Sequence, residues 1–144
     1  YTQEVKKIGK EELKEMLESS SDKLHIINFW ATWCGPCVTE IPHFEKVAIE
    51  YSTDSVEFIL ASLDFPSQYE SRLLPFIKNH KLSLRIVLIE ELDYDLWMNF
   101  IDPLWQGNIP ATLFFNNAKN QRLFLNKALD ETELRSAIET LLRE

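Results

Sequence analysis

The only two cysteines of the chain, Cys34 and Cys37, are separated by Gly35 and Pro36 in the sequence WCGPC. Two thiols at this spacing can form a structural disulfide, contribute half of a metal site, or exchange electrons with other thiols and disulfides. A structural disulfide here would close a very short loop, and the stabilisation that a disulfide gives grows with the length of its loop. The structural interpretation is therefore disfavoured.

A zinc site needs four ligands, so the cysteine pair would require two further thiolate or imidazole groups. The chain has no other cysteine, and its three histidines fall on separate predicted elements without the spacing of ligands. These are His25, His43 and His80. We therefore predict no metal and interpret the pair as a redox-active dithiol.

The position of the pair, directly after a predicted buried strand and at the start of a predicted helix, assigns different roles to the two sulfurs. The free N–H groups and positive dipole end of a helix lower the pKa of a thiol placed there. Pro36 suits the first helical position, where its missing N–H is not needed. We predict that Cys34 is accessible and attacks a disulfide, and that Cys37, one turn inside, resolves the mixed disulfide.

Composition excludes several other functions. The chain has 144 residues, 15 basic against 23 acidic, and a formal net charge of −8. Nucleic acid and anionic membranes bind clustered Lys and Arg, so neither is expected as a partner. No stretch approaches the roughly 20 apolar residues that cross a bilayer. The first residue is Tyr1 rather than Met, which indicates a processed or trimmed product and leaves open a removed signal peptide or anchor.

The apolar residues alternate between helical and strand spacing along the chain, which predicts one α/β domain over residues 1–144. Its sheet should be mixed and flanked by helices, with parallel strands and a terminal antiparallel hairpin. Asp130 and Glu133 have the spacing of a capping box before the last helix. The predicted elements, which begin with a helix, are helix Lys10–Ser19, strand Leu24–Trp30, helix Pro36–Tyr51, strand Val56–Leu63, helix Tyr69–His80, strand Ile86–Ile89, helix Tyr94–Ile101, strands Ala111–Phe115 and Arg122–Asn126, and helix Asp130–Arg143.

The sequence FWATWCGPC, residues 29–37, closely resembles the thioredoxin superfamily, whose signature is strand, WCGPC and helix. A second segment, GNIPATLFF at residues 107–115, resembles the part of that family that carries a cis-proline opposite the cysteines. The resemblance implies a thioredoxin fold and a cis bond between Ile109 and Pro110. It also implies that the Ile109 backbone lies beside Cys34, where a substrate strand pairs. Taken alone, Pro110 would be an ordinary trans proline at the start of an edge strand.

The sequence CVTEIP, residues 37–42, is similar to the same region of the TlpA/ResA-like exported thiol–disulfide oxidoreductases. In thioredoxins a buried Asp in the strand before the motif is thought to take part in proton transfer at the inner thiol. Members of this subgroup often have an Asn at that position, and here it is Asn28. Because an amide does not titrate, we hypothesise that Glu40, with a pKa raised by partial burial, assists proton transfer at Cys37. The alternative is that Glu40 is a solvated glutamate on a helix surface.

Residues 81–108 are longer than a minimal thioredoxin needs and form a small insertion before the cis-proline loop. Their aromatic side chains indicate either a lid over the substrate or an addition to the core, and the helical spacing favours the core. We expect Trp105 and Gln106 to be the exceptions that contact substrate. Trp33 is expected to flank Cys34 on the contact surface.

The Gly-Pro spacer and the Ile before the cis-proline resemble the reducing members of the family, which predicts a disulfide reductase. The expected partners are protein thiols and disulfides and an unidentified electron donor; no cofactor is expected beyond the Cys34–Cys37 disulfide. The resemblance implies a periplasmic or extracytoplasmic location, with a membrane tether in the precursor left open and the cytoplasm as the alternative. We expect a monomer. An oxidant or isomerase for exported proteins, or a binding module without turnover, remain alternative functions.

Overall fold

A six-stranded mixed sheet forms the centre of the protein, with the strand order β1-β4-β3-β2-β5-β6. The structure, a computed structural model, describes residues 5–51 and 55–144. Strands β1 to β4 are parallel, whereas β5 and β6 form a hairpin that joins β2 in antiparallel orientation. The strands are β1 Val5–Ile8, β2 Leu24–Trp30, β3 Val56–Ser62, β4 Arg85–Ile89, β5 Ala111–Asn116 and β6 Gln121–Leu125.

Helices cover both faces of the sheet, which confirms the predicted fold class. One face packs against α1 and the 81–108 region, and the other against α2, α3 and α5. All seven residues of β2 are buried, as its continuous apolar sequence predicts. The helices are α1 Lys10–Leu17, α2 Gly35–Glu50, α3 Leu74–Asn79, α4 Met98–Ile101 and α5 Glu131–Arg143. Within the described residues, no helix is long and apolar enough to cross a membrane.

The strand β1 is absent from the sequence-based prediction, which begins with the helix at Lys10. Val5 and Ile8 of β1 are buried beside β4, and the strand pairs in parallel from Val5 with Ile86 to Ile8 with Ile89. The sequence VKKI gives only four residues with two lysines between the apolar ends, and this is too short for a periodic signal. Its strand conformation depends on pairing with β4, which no local pattern reveals.

The predicted single helix Tyr69–His80 is divided into two helical segments of different kinds, and a third, 3-10 turn precedes them. A 3-10 turn covers Pro66–Gln68, a π-helical turn covers Tyr69–Leu73, and the regular helix α3 begins only at Leu74. Pro75 in the first turn of α3 explains this start, because proline has no N–H to bond to the preceding turn.

The aromatic residues of the 81–108 region belong mainly to the core, as the helical spacing predicts. Trp97 is completely buried and packs on Phe29, with the ring centroids 6.1 Å apart. Ile101 and Trp105 join the same core cluster. Leu96, Phe100 and Leu104 remain exposed. The region therefore extends the core, and the predicted helix over residues 94–101 is divided into a 3-10 turn, Tyr94–Leu96, and the short helix α4.

Candidate active site

The cysteine pair lies at the carboxyl end of β2, where the chain enters α2, and its two sulfurs form a disulfide. Cys34 is the N-cap residue of α2 with extended backbone, and Cys37 lies in the first turn. Pro36 lies within that first turn, where proline is tolerated. The backbone N–H of Cys37 donates to the Sγ of Cys34 over 3.3 Å. This N–H and the helix dipole favour negative charge on Cys34 once the disulfide is reduced.

The two sulfurs differ in accessibility in the order that the sequence predicts. Cys34 is 7% exposed and Cys37 is completely buried. The exposure of Cys34 is smaller than the prediction of an open, accessible thiol suggests, because this residue packs within one of the core clusters beside Ile109. Trp33, the residue before Cys34, is 49% exposed and gives this part of the surface an aromatic side chain.

The peptide bond between Ile109 and Pro110 is cis, as the resemblance implies. The Ile109 carbonyl oxygen lies 3.8 Å from the Sγ of Cys34, although the two residues are 75 positions apart. Gly107, two residues before Ile109, has a φ of +89°, a conformation that favours glycine. The fold therefore brings the two sequence motifs together at one point on the surface.

The loop before Pro110 is held by two side chains that donate to its carbonyl groups. The indole Nε1 of Trp105 donates to Asn108 O over 2.9 Å. The amide of Asn126, just after β6, donates to Asn108 O over 2.9 Å and to Pro110 O over 3.2 Å. These bonds fix the backbone that faces Cys34.

Trp105 differs from its predicted place at the substrate surface. It is only 4% exposed and packs against Phe29, with ring centroids 5.0 Å apart, and against Phe124 at 5.5 Å. Its aromatic ring is part of the core, and its N–H supports the loop from inside. Gln106 is exposed, so its predicted contact with substrate stays a prediction.

A buried carboxylate, Asp64, holds the loop that precedes the cysteines. The Thr32 backbone N–H donates to both carboxylate oxygens over 3.1 and 3.2 Å, and the Thr32 hydroxyl donates to Oδ1 over 2.6 Å. The Ser62 hydroxyl donates to Oδ2 over 2.6 Å. On the outer side, Arg72 Nε donates to the Thr32 hydroxyl over 2.8 Å. Sequence reasoning missed these residues; the signal that was available is that the ends of neighbouring parallel strands meet at one edge of the sheet.

Glu40 is not the solvated glutamate of the alternative interpretation, because it is only 1% exposed. Its Oε1 accepts from Asn28 Nδ2 over 2.8 Å, and its Oε2 accepts from the Leu129 backbone N–H over 2.7 Å. Asn28 is completely buried and also donates to the Thr112 hydroxyl over 3.1 Å. Burial raises the pKa of Glu40 to about 7, although the two hydrogen bonds act in the opposite direction.

Glu40 is three residues after Cys37 on α2, which places both side chains on the same side of the helix. A buried carboxyl group with a pKa near 7 changes its protonation state readily at neutral pH, the property required of a general acid or base. Among the described residues, no group of three or more His, Cys, Asp or Glu side chains is arranged to hold a metal ion. The chemistry that the site can offer is therefore exchange between thiols and disulfides, with a titratable group nearby.

Parts of the sequence are similar to proteins named as thiol–disulfide oxidoreductases. A family model described as Thioredoxin matches residues 4–75. Thiol-disulfide oxidoreductase ResA of Halalkalibacterium halodurans is 34% identical over 90 residues, which is 62% of this chain and 46% of that protein. Sporulation thiol-disulfide oxidoreductase A of Bacillus subtilis is 36% identical over 63 residues, which is 44% of this chain and 38% of that protein. The matched segments thus span less than half the length of these relatives.

Structural comparison gives the same fold over most of the chain. A thioredoxin-related protein from Neisseria meningitidis serogroup B has a TM-score of 0.73 at 23% identity, covering 89% of this chain and 91% of that one. StoA from Bacillus subtilis has a TM-score of 0.61 at 24% identity, with coverage of 81% and 82%. At this level of identity, the likeness describes the arrangement of the helices and strands.

Proposed function

Because the chain belongs to the thioredoxin family, we propose that it is a thiol–disulfide oxidoreductase that reduces disulfides in other proteins. The observation that carries this proposal is the position of the Cys34–Cys37 pair. Cys34 caps α2, receives the N–H of Cys37 and lies beside the Ile109 carbonyl, while Cys37 is fully enclosed. An attacking and a resolving thiol require this arrangement.

The reaction begins with the reduced pair and a disulfide in the substrate protein. The Cys34 thiolate attacks one substrate sulfur, a mixed disulfide forms, and the other substrate sulfur leaves as a thiolate. Cys37 then loses its proton and attacks Cys34, which releases the second substrate sulfur. The products are the Cys34–Cys37 disulfide and two substrate thiols, so two electrons pass to the substrate. An electron donor, which the chain does not identify, restores the dithiol.

The proton that leaves Cys37 needs an acceptor in a region closed to solvent. Glu40 is buried one turn further along α2, and its pKa of about 7 allows it to take up and release a proton at neutral pH. Asn28 donates to Glu40 and does not titrate itself, so it orients the carboxylate. We assign proton transfer to Glu40 and orientation to Asn28.

Substrate binding is assigned to the backbone of Ile109 and the exposed ring of Trp33. The Ile109 carbonyl faces the Cys34 sulfur and Trp33 directly precedes Cys34 in the chain, and an extended segment of a substrate protein can pair with backbone at this position. The subgroup resemblance of the sequence CVTEIP supports a location outside the cytoplasm, where protein disulfides are maintained.

The decisive experiment measures insulin reduction together with the reduction potential of the Cys34–Cys37 pair. We expect turnover of insulin disulfides and a reduction potential of about −270 mV, the value of thioredoxin. A potential near about −120 to −180 mV, the range of DsbA and protein disulfide isomerase, would instead assign an oxidant or isomerase. In a Cys37→Ser variant, substrate proteins should stay attached to Cys34 as mixed disulfides. No trapped protein and no turnover would leave only a binding module.

A further inference from the structure

A second chemical cluster lies at the opposite end of β2 from the cysteines. His25, the second residue of β2, is 6% exposed and lies opposite Glu57 in the register of β2 with β3. Its Nδ1 is 2.9 Å from Glu57 Oε1, and its Nε2 is 3.0 Å from the Ser21 hydroxyl oxygen. The imidazole ring stacks on Phe115, with centroids 4.8 Å apart. Ser21, His25 and Glu57 thus form a continuous hydrogen-bonded series, here called the Ser–His–Glu series.

The chemistry of each group determines the direction of these hydrogen bonds. The hydrogen bond from His25 holds the pKa of Glu57 below its ordinary value, and the charges of Arg85 and Lys23 act in the same direction. A carboxylate only accepts, so a proton on Nδ1 faces Glu57, and in the tautomer with its single proton there Nε2 accepts from the Ser21 hydroxyl. The Ser19 hydroxyl donates to Ser21 over 3.2 Å, which leaves the Ser21 proton free for His25.

The series opens onto a cavity of about 240 Å³ at the surface of the sheet. Ile27, Ile59 and Phe115 give the cavity apolar walls, and Lys23 and Arg85 add positive charge. Ser21 is exposed and lies on a bend before β2, so a ligand in the cavity can reach its hydroxyl. The volume lies below the roughly 300–1,000 Å³ of pockets for drug-sized ligands, so only a smaller molecule can enter it.

We propose that Ser21 is the nucleophile of a second, hydrolytic site that takes small carboxylic esters. Ser21 Oγ attacks the ester carbonyl while its proton passes to His25 Nε2, and Glu57 stabilises the imidazolium that forms. The carbon–oxygen bond of the ester then breaks, and the alcohol leaves with the proton from His25. Water, activated by His25, hydrolyses the acylated Ser21, which regains its proton. Arg85 is 3.7 Å from Glu57 Oε2 and is paired with it, so Lys23 is the cation of the cavity lining assigned to offset the negative charge that develops on the carbonyl oxygen.

This site works independently of the cysteine pair. His25 and Trp30 are five residues apart on β2, which corresponds to about 16 Å of strand, and the cysteines lie beyond Trp30. The proposal therefore does not depend on the proposed reductase function. Circular dichroism and urea denaturation serve as measures of correct folding in variants of Ser21, His25 and Glu57.

The test uses the full chain with its disulfide intact, so that free thiols do not react with the probe. An alkyl fluorophosphonate transfers its phosphorus to an activated serine and releases fluoride, and mass spectrometry of peptides identifies the modified residue. We expect one adduct on Ser21, no adduct in Ser21→Ala, and unchanged labelling in Ser20→Ala, the exposed neighbour outside the series. His25→Gln and Glu57→Gln should slow labelling at least about 100-fold and 10-fold, respectively, in line with the loss of a general base and of its orienting group.

Hydrolysis of p-nitrophenyl acetate by the oxidised protein should follow the same order of variants. The proposal is overturned if the wild-type chain is not labelled, or if labelling persists in Ser21→Ala. It is also overturned if labelling of Ser21 has the same rate in Glu57→Gln, because the series then has no effect on the hydroxyl. Should His25→Gln lose its fold, wild type and Glu57→Gln still decide the outcome, since both retain the imidazole.

Discussion

Two buried carboxyl side chains belong to the surroundings of the cysteine pair, Asp64 through its bonds to Thr32 and Glu40 one helical turn after Cys37, and the protein surrounds them differently. Asp64 accepts from the Thr32 N–H, the Thr32 hydroxyl and the Ser62 hydroxyl, all within the loops at the ends of β2 and β3. Glu40 accepts only from the Asn28 amide and the Leu129 N–H, deeper in the core. The comparison teaches that several donors on one carboxylate anchor a loop, whereas a desolvated carboxyl group with fewer donors has a raised pKa, which suits the proton transfer that we propose for Glu40.

The largest effect on the free energy of unfolding should come from removing the Asp64 carboxylate. Asp64→Ala leaves two hydroxyl groups and one backbone N–H without their acceptor in a buried site, and we expect the free energy of unfolding to fall by about 3 kcal/mol. Urea denaturation measures this loss. Asp102→Ala is the matched control, because Asp102 also accepts a backbone N–H, from Leu104, but in an exposed loop. Equal losses in the two variants would refute the structural role of Asp64.

The raised pKa of Glu40 should appear in the pH dependence of the free energy of unfolding. The folded pKa of Glu40, about 7, lies above its ordinary 4.5, so the folded state binds the proton more tightly than the unfolded state. Stability should therefore fall as pH rises from about 4.5 to 7, by up to about 3 kcal/mol. Urea denaturation across this range should show a flatter dependence in Glu40→Gln, which cannot ionise.

The same Glu40→Gln variant should alter the pH dependence of Cys37 alkylation in the reduced protein. Glu15→Gln, at an exposed position of α1, is the control and should retain the wild-type profiles. If Glu40→Gln keeps the wild-type pH dependence in both urea denaturation and Cys37 alkylation, Glu40 does not take part in proton transfer at Cys37.

A smaller effect tests whether the Glu40 site extends to β5. Thr112→Val keeps the shape of the side chain but removes the acceptor of the second Asn28 N–H, which is completely buried. We expect a loss of about 1 kcal/mol in the free energy of unfolding and a shift in the pH profile that Glu40 produces. Thr140→Val on the exposed face of α5 provides the comparison. A stability loss with an unchanged profile would separate Thr112 from the titrating group.

The smallest expected effect on the free energy of unfolding comes from Arg72, which donates to Thr32 on the outer side of the Asp64 site. Arg72 is exposed and, within residues 5–51 and 55–144, its hydrogen bond goes to the Thr32 hydroxyl, so Arg72→Ala should lower the free energy of unfolding by about 0.5 kcal/mol. Thermal denaturation measures the loss of stability, and the rate of insulin reduction shows whether the loop still holds the cysteine pair. A loss as large as that of Asp64→Ala would mean that the guanidinium, and not the carboxylate, holds the loop.

The parts of the fold with strong local signals could be predicted from sequence. The buried strand before WCGPC, the helix after it and the cis bond before Pro110 are confirmed, as is the family resemblance. The capping box is also present: the Glu133 N–H donates to Asp130 over 2.8 Å, and the Asp130 N–H donates to Glu133 over 3.1 Å. Each of these features depends on residues close together in the chain or on a motif of fixed form.

The parts that could not be predicted depend on contacts between distant segments. The Thr32–Asp64 bonds and the His25–Glu57 pair arise because β2 and β3 are neighbours in register, and one sequence does not reveal register. Trp105 was placed at the surface because it is close to Pro110 in sequence, yet its ring fits the core beside Phe29. Glu40 shows the opposite case, since helical spacing correctly suggested its burial but not its partners.

The two hydrogen bonds from the Thr32 amide to Asp64 have a consequence for motion in this loop. An amide in a connecting segment usually exchanges its hydrogen with solvent quickly, whereas this one is enclosed and doubly accepted. In heavy water it should keep its hydrogen about as long as amides in the central strands, whether the cysteines are joined or separate. The loop before Cys34 would then keep its conformation while the cysteine pair is oxidised and reduced. The partner protein, rather than this loop, has to adjust its shape.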